Sequence, residues 1–219
     1  MKTLDTVRLR AAIGWLGFLL PIIVLVLCLV FGCAPEGHLF PDSISATYYF
    51  EPTITPFMII LGAASVILMC YRGYTKWDDA INTATGICGL GICFFPCYNW
   101  ADMYVGTFQV PVEVSGMLHN GCAALFFILL TINVLFFFTK GNGTPTKKKK
   151  IRNIIYMVCG IGMALSLIGI VFLGSIYGGT WFVEAIALAF FGIAYLTKAD
   201  IYPWLACDSA YEDREDDDA

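Results

Sequence analysis

The fold class is first indicated by the apolar segment Ala11-Ala-Ile-Gly-Trp-Leu-Gly-Phe-Leu-Leu-Pro-Ile-Ile-Val-Leu-Val-Leu-Cys-Leu-Val-Phe-Gly32. It contains no charged residue, and it is long enough to cross the hydrocarbon core of a bilayer, which takes about 17–25 apolar residues in a helix. Arg8 and Arg10 precede it. Its apolar part is too long for the hydrophobic region of a signal peptide, and further apolar segments follow it. We therefore interpret it as a transmembrane helix that is retained.

Five more apolar segments follow along the chain. The six predicted spans cover about residues 11–32, 53–71, 80–97, 117–138, 153–173 and 181–197. The chain of 219 residues is 58% hydrophobic and 14% charged, with a mean hydropathy of +0.74, which excludes an ordinary soluble domain. The sequence therefore predicts an all-α, polytopic membrane protein, with a single bundle of six transmembrane helices over residues 1–219.

The basic residues fix the predicted orientation. All thirteen Lys and Arg residues lie before the first span, between the second and third, between the fourth and fifth, or after the sixth. The three other connections, about residues 34–52, 98–116 and 174–180, contain none. Because Lys and Arg accumulate in cytoplasmic loops, we expect both termini in the cytoplasm and a multi-pass protein of the inner or plasma membrane.

Two charged segments lie on the predicted cytoplasmic side. The loop between spans four and five carries six basic residues, and five of them form a cluster, namely Lys147, Lys148, Lys149, Lys150 and Arg152. Such a cluster attracts anionic lipid headgroups by about 1 kcal/mol per nearby basic residue, although the topological bias alone also explains it. Residues 199–219 end in a run of Asp and Glu, which predicts a solvated, disordered tail that could contact a basic cytoplasmic partner.

Two of the nine cysteines stand apart from the others. Most lie in or near spans, where a free thiol behaves as a small apolar residue. Cys33 and Cys97 lie at the outer ends of spans one and three, and the outside of the membrane is oxidising. A Cys33–Cys97 disulfide is therefore a candidate bond, with Cys122 as a competing partner close to the same face.

Polar and aromatic residues gather on the predicted outer face, without any Lys or Arg. Ionisable residues inside a membrane are costly and are functional-site candidates by default, which applies to His119 in span four and Glu184 in span six. The candidate ligand-binding residues are His119, Glu184, Ser43, Ser45, Tyr48, Tyr49, Asp102 and Asn120. Because this face lacks Lys and Arg, we expect a neutral, zwitterionic or cationic ligand rather than an anionic one.

Three roles are open to His119 and Glu184, which start from the same membrane face. They could form a structural hydrogen bond, bind a substrate or lipid, or act together in general acid/base chemistry. A metal site would need further ligands such as His38, Asp42 or Asp102. With two histidines and no HxxxH or HExxH spacing, the sequence predicts no metal and no cofactor.

Several segments carry a resemblance to known proteins. They are Ser43-Ile-Ser-Ala-Thr-Tyr-Tyr49, Tyr71-Arg-Gly-Tyr74 followed by Asp78, His119 ahead of Ala123-Ala-Leu-Phe-Phe127, and Arg152-Asn-Ile-Ile-Tyr156 with Cys159-Gly160. Together they resemble a bacterial family of six-span integral membrane proteins of unknown function, over most of residues 40–160. The resemblance implies the six-span fold, and it does not indicate an activity because the function of that family is unknown. The chain departs from the expected pattern after the Tyr pair, where it has Phe50-Glu-Pro-Thr-Ile54 instead of a polar or basic residue.

A fainter similarity is to the seven-span hydrolases that include alkaline ceramidases and progestin/adiponectin receptors. Their zinc site uses a Ser, an Asp and three His, so Ser43 or Ser45 and Asp78 or Asp79 would be the corresponding residues here. The chain lacks the paired histidines of the last span in that superfamily.

The sequence favours a membrane protein without enzymatic activity that binds a lipid or other amphiphile in an outward-facing polar cavity. A membrane-embedded lipid hydrolase, with or without a metal, and a small transporter component are the alternatives. The expected partners are membrane lipids and a second copy of the chain, and no nucleic-acid partner is expected.

Overall fold

The computed structural model describes residues 2–34, 38–73, 75–140 and 146–205, and the side chains of all of these except residues 2–5. Six helices make up this part of the chain. They are α1 (Lys2–Phe31), α2 (Glu51–Cys70), α3 (Lys76–Phe94), α4 (Val112–Ile132), α5 (Lys147–Leu173) and α6 (Gly179–Lys198). A 3₁₀ helix, Ser45–Tyr49, precedes α2, and a π-helical turn, Asn133–Phe137, continues α4. The all-α prediction is confirmed.

Five of the helices are long and apolar enough to cross a membrane. These segments are Thr6–Phe31, Glu51–Cys70, Val112–Phe137, Lys147–Leu173 and Gly179–Lys198. Helix α3 is as long as α2 to within one residue, but polar residues such as Lys76, Asp78, Asp79 and Asn82 occupy its first two turns. The five apolar helices indicate a multi-pass membrane protein.

The helices form a closed ring in chain order. Each helix packs against the next one, and α6 packs against α1. Glycines allow the closest approach between α1 and α6, since a Cβ atom at Gly17 would overlap the ring of Phe191 and one at Gly192 would overlap Phe18. Small residues at such positions are typical of helix packing in lipid, where burial of apolar groups gives no driving force.

Long-range hydrogen bonds identify the two ends of the bundle. At one end, Arg10 near the start of α1 binds Tyr71 after α2, and Arg152 near the start of α5 binds Asp200 after α6. We call this the Arg10 end. At the other, Glu184 near the start of α6 binds the segment between α1 and α2. We call this the Glu184 end. The six helices therefore alternate in direction.

The outer surface of the bundle is strongly apolar. Large apolar side chains such as Val30, Val171 and Phe172 are 68%, 79% and 71% exposed. Monomeric soluble proteins rarely carry such continuous apolar surface, whereas lipid tails accommodate it without cost. The exposed faces of α1 and α5 are thus suited to contact with hydrocarbon.

A small hairpin lies between α3 and α4 at the Glu184 end. Its strands, β1 (Tyr104–Val105) and β2 (Val110–Pro111), pair in antiparallel register. Gly106 has a φ of +76°, a conformation that favours glycine, and its Cβ position would overlap Pro96 and the carbonyl oxygen of Phe94. The hairpin is thus held against the end of α3.

The basic loop before α5 is more helical than the sequence indicated. Helix α5 begins at Lys147, and the hydroxyl of Thr146 caps it by accepting a hydrogen bond from the backbone N–H of Lys149 at 3.2 Å. Such a cap satisfies a free N–H of the first helical turn. The lysine cluster therefore lies on a helix that continues into the bundle.

Candidate functional site

Glu184 lies near the start of α6 and contacts the segment between α1 and α2. Its Oε2 accepts a hydrogen bond from the backbone N–H of Ile44 at 2.7 Å, and the carboxylate also accepts one from the backbone N–H of Ser45. These two residues begin the 3₁₀ helix Ser45–Tyr49. Free N–H groups at the start of a helix attract a negative charge. Glu184 therefore caps this helix from α6, which packs beside α1 in the ring.

A cavity of about 40 Å³ lies beside this carboxylate. Two polar residues, Ser45 and Glu184, contribute to its wall. The rest of the lining is apolar and comes from Leu20, Ile44, Phe57, Leu61, Ile92, Ala123, Phe126, Phe127 and Leu188. A single water molecule needs about 10–15 Å³ of such space, so the cavity can hold a small group of a ligand. Residues of five helices, namely α1, α2, α3, α4 and α6, meet there with the start of the 3₁₀ helix.

The segment before the 3₁₀ helix is bound to the start of α6. Asp42 accepts a hydrogen bond from the backbone N–H of Gly178 through Oδ1 at 2.7 Å, and its carbonyl oxygen accepts one from the N–H of Trp181 at 3.0 Å. The hydroxyl of Tyr177 donates to the carbonyl of Phe40 at 2.9 Å. These bonds place the Asp42 carboxylate close enough to Glu184 for the two charges to interact.

Tyr49 and Cys97 complete the polar groups near the cavity. The Tyr49 hydroxyl donates a hydrogen bond to the carbonyl oxygen of Cys97, and burial raises the pKa of this phenol well above its usual value. Burial also raises the pKa of the Cys97 thiol to about 12, and the neighbouring carboxylates of Glu184 and Asp42 add to the effect. The Cys97 side chain therefore lies within electrostatic range of both carboxylates.

His119 is buried but has a different partner. Its Nδ1 lies 2.8 Å from the carbonyl oxygen of Phe95, to which it must donate because a carbonyl only accepts. The neighbouring Ser115 hydroxyl donates to the carbonyl of Pro96 at 2.8 Å. Both side chains hold the segment after α3 against α4. His119 is not part of the cavity lining, and no hydrogen bond joins it to Glu184 in the described part of the chain.

The other predicted site residues are distributed over the same end. Ser43 accepts a hydrogen bond from the N–H of Ala46, and Tyr48 packs edge-on against Tyr49. Asp102 accepts a hydrogen bond from Asn99 on the exposed surface, and Asn120 is exposed on α4. Only Ser45 and Glu184 of the predicted set contribute to the cavity wall.

The two cysteines of the candidate disulfide are free thiols in the structure. The backbone N–H of Cys33 donates to the carbonyl of Cys28 at 3.0 Å, and Gly32 between them has a φ of +65°. This pattern is typical of a helix that ends with a left-handed glycine. The side chain of Cys33 also contacts that of Cys28, in the last turn of α1.

A second polar cluster, at the Arg10 end, was missed by the sequence analysis. Asn133 donates from Nδ2 to Asn82 Oδ1 at 2.6 Å and to the Tyr195 hydroxyl at 3.1 Å. The Tyr195 hydroxyl in turn donates to Asn82 Oδ1 at 3.3 Å. All three side chains are buried, and they join α3, the π-helical turn and α6. We call this the Asn82–Asn133–Tyr195 triad.

Charged residues surround the triad. A smaller cavity at this position is lined by Tyr71, Gly73, Asp78, Asn82, Asn133, Phe137, Phe138 and Lys198. Asp78 forms the capping box of α3 with Thr75 and lies 3.8 Å from the Lys140 ammonium. The signal for this cluster was available, because two asparagines within apolar spans must find polar partners in lipid.

Two of the residues predicted to contact anionic lipid have partners inside the protein. Lys149 donates from Nζ to the carbonyl oxygen of Lys140 at 2.9 Å. Arg152 donates to Asp200 at 2.6 Å and to the Tyr156 hydroxyl at 3.2 Å. Lys147, Lys148 and Lys150 are exposed. Lipid contact by these three stays a prediction.

Comparison of the chain with known proteins identified no similar protein. No family model, no curated protein and no solved structure matches the chain. Within the described residues, no group of three or more His, Cys, Asp or Glu side chains is arranged to hold a metal ion.

Proposed function

We propose that the chain spans the inner or plasma membrane six times, with both termini in the cytoplasm. Helix α3 would cross the membrane in addition to the five apolar helices, because its 19 residues reach about 28 Å at about 1.5 Å per residue. It packs between α2 and α4, and its polar first turns lie at the Arg10 end. Arg10, Lys140 and Arg152 lie at the same end, which supports a cytoplasmic position for it.

We further propose that the protein binds a lipid or other amphiphile in the cavity beside Glu184. The observation that carries this proposal is the composition of the cavity wall, where a carboxylate and a hydroxyl adjoin an otherwise apolar surface. Ligand sites are mostly apolar with a few polar groups that fix orientation. The head of an amphiphile would lie at Ser45 and Glu184, and its first carbons would contact residues such as Phe57 and Leu188.

Filling the cavity tests this proposal. Ala123 lines it, whereas the next residue, Ala124, is exposed on the same helix. Ala123→Phe should remove an amphiphile that copurifies with the wild-type protein, as detected by native mass spectrometry from mild detergent. Ala124→Phe is the matched control and should retain it. Absence of any bound amphiphile from the wild-type protein, or equal retention by both variants, contradicts the proposal.

A further inference from the structure

The Glu184 end carries two carboxylates that interact with each other. Hydrogen bonds from Gly178 and Trp181 hold Asp42 at the start of α6, within electrostatic range of Glu184, and both carboxylates act on the Cys97 thiol. In the described part of the chain, the hydrogen bonds to the two carboxylates come from backbone N–H groups, those of Gly178, Ile44 and Ser45. Backbone dipoles reduce the cost of burying these groups but do not neutralise their charge.

No Lys or Arg occurs in the segments that form this end. Residues 34–52, 98–116 and 174–180 contain neither, and every basic residue of the chain belongs to other segments. In the described part of the chain, neither histidine is paired with Asp42 or Glu184, since His38 stacks on Tyr177 with ring centroids 3.6 Å apart and His119 donates to the Phe95 carbonyl. A buried carboxylate without a positive neighbour takes up a proton or attracts a cation.

The chemistry of the surroundings favours an organic cation over a metal ion. No cluster of three acidic, His or Cys side chains is arranged for metal binding in the described residues. Aromatic rings belong to the cavity wall instead, namely those of Phe57, Phe126 and Phe127. Aromatic faces attract ammonium groups, which need no fixed coordination geometry.

We propose that the ligand of this cavity carries an ammonium head, which pairs with Glu184 while Asp42 adds a longer-range attraction. This inference rests on the proposed amphiphile-binding function and specifies its ligand class. The head would approach Ser45 and the Glu184 carboxylate, and its alkyl chain would extend along the apolar wall. The absence of basic residues at this end would then exclude anionic amphiphiles, since their heads would be repelled by both carboxylates.

Matched probes of equal chain length distinguish head-group chemistry from apolar binding. Dodecylammonium, dodecanol and dodecyl sulfate would be compared for binding to the full chain in lipid nanodiscs, by native mass spectrometry and by the shift in melting temperature. We expect dodecylammonium to bind about 10-fold more tightly than dodecanol, with no saturable binding of dodecyl sulfate. Glu184→Gln should abolish the preference for dodecylammonium, and Asp42→Asn should reduce it.

Two controls separate the loss of the carboxylate from a change in net charge and from misfolding. Glu113 is exposed near the start of α4 at the same end, so Glu113→Gln changes the net charge equally and should leave the preference intact. Size-exclusion profiles would establish that the variants are folded, and Asp42→Asn provides the test if Glu184→Gln does not fold. Equal binding of dodecanol and dodecylammonium at a site lost in Ala123→Phe overturns the ammonium inference alone. If Ala123→Phe does not reduce the binding of any probe, the proposed function is overturned as well.

Discussion

The carboxylate of Glu184 accepts a hydrogen bond at 2.7 Å from the backbone N–H of Ile44, which lies 140 positions earlier in the chain. This contact joins the last helix of the ring to the first connection between helices. It also places a charged group at the start of a 3₁₀ helix, where a negative charge is favourable. One side chain therefore links the closure of the bundle to the cavity in which we propose that a ligand binds.

Removal of the Glu184 carboxylate should destabilise the protein. Glu184→Leu leaves the N–H groups of Ile44 and Ser45 without an acceptor, which costs about 1–3 kcal/mol for a buried group. Glu184→Gln keeps an acceptor oxygen and should cost less. Reversible unfolding in mixed micelles with increasing denaturing detergent measures the difference. Equal stability of Glu184→Leu and the wild-type protein would show that the hydrogen bond to Ile44 contributes nothing.

The Asn82–Asn133–Tyr195 triad should show energetic coupling. Asn82→Ala and Asn133→Ala each leave a partner unsatisfied, so each should destabilise the protein by about 1–3 kcal/mol. The two losses should not add, and a double-mutant cycle should give a coupling energy of about 0.6 kcal/mol, the average for hydrogen bonds between membrane helices, and of at most about 1.7 kcal/mol.

The control for this cycle is Thr131. It is buried, but its hydroxyl donates to the Phe127 carbonyl within the same helix at 2.7 Å. A cycle between Asn82→Ala and Thr131→Ala should therefore give additive losses. Additivity in the Asn82–Asn133 cycle as well would contradict the structural role of the triad.

The Cys97 thiol should resist alkylation in the folded protein. Its pKa is raised to about 12 by burial and by the carboxylates of Glu184 and Asp42, so the reactive thiolate is scarce at pH 8.5. The raised pKa means that the folded state holds the proton more tightly. The stability it contributes is present below the ordinary thiol pKa and is lost as the pH rises toward 12.

Iodoacetamide labelling followed by peptide mass spectrometry measures this resistance. Cys70, which is exposed at the end of α2, is the internal control and should be modified at pH 8.5. Cys97 should be modified only after unfolding, or slowly as the pH approaches its pKa. Labelling of Cys97 at the rate of Cys70 in the folded protein would contradict the raised pKa of this partly buried thiol.

Hydropathy and segment length were sufficient to predict the helices, because lipid permits few other backbone structures. The helix ends were less predictable. Lys147 begins α5 only because Thr146 caps it, and α3 begins at Lys76 because Thr75 and Asp78 form a capping box. These local hydrogen bonds extend both helices into segments that hydropathy alone assigns to loops.

The candidate site was predictable only in part. The cost of placing a carboxylate in the membrane was enough to single out Glu184, which lies at the cavity. The partners of Glu184 and His119 are backbone groups of Ile44 and Phe95, and nothing in a residue pattern specifies which backbone group a side chain will contact. The triad was missed because only ionisable residues within the spans were treated as site candidates. Neutral asparagines are also costly in lipid and must find polar partners there.

The Arg152–Asp200 pair should stabilise the Arg10 end. Arg152 donates to Asp200 at 2.6 Å, and both side chains are largely buried. Arg152→Met leaves the Asp200 carboxylate in place without this partner, and breaking a buried pair in this way costs about 3–5 kcal/mol. Lys150→Met, at an exposed position of the same helix, should change the stability by less than about 0.5 kcal/mol. Comparable stability of the two variants, measured by detergent unfolding, would contradict a stabilising role of the ion pair.

The position of α3 determines the number of spans and can be tested by labelling from outside the cell. If α3 crosses the membrane, residues 72 and 102 lie on opposite sides of it, as the distribution of basic residues predicts. In a variant without reactive cysteines, Asp102→Cys should react with an impermeant maleimide in intact cells, whereas Arg72→Cys and Lys150→Cys should react only after permeabilisation. Arg72, Asp102 and Lys150 are all exposed, so a cysteine at each position is accessible to the label. Labelling of positions 72 and 102 from the same side would instead place α3 on one side of the membrane and leave five spans, with the two termini on opposite sides.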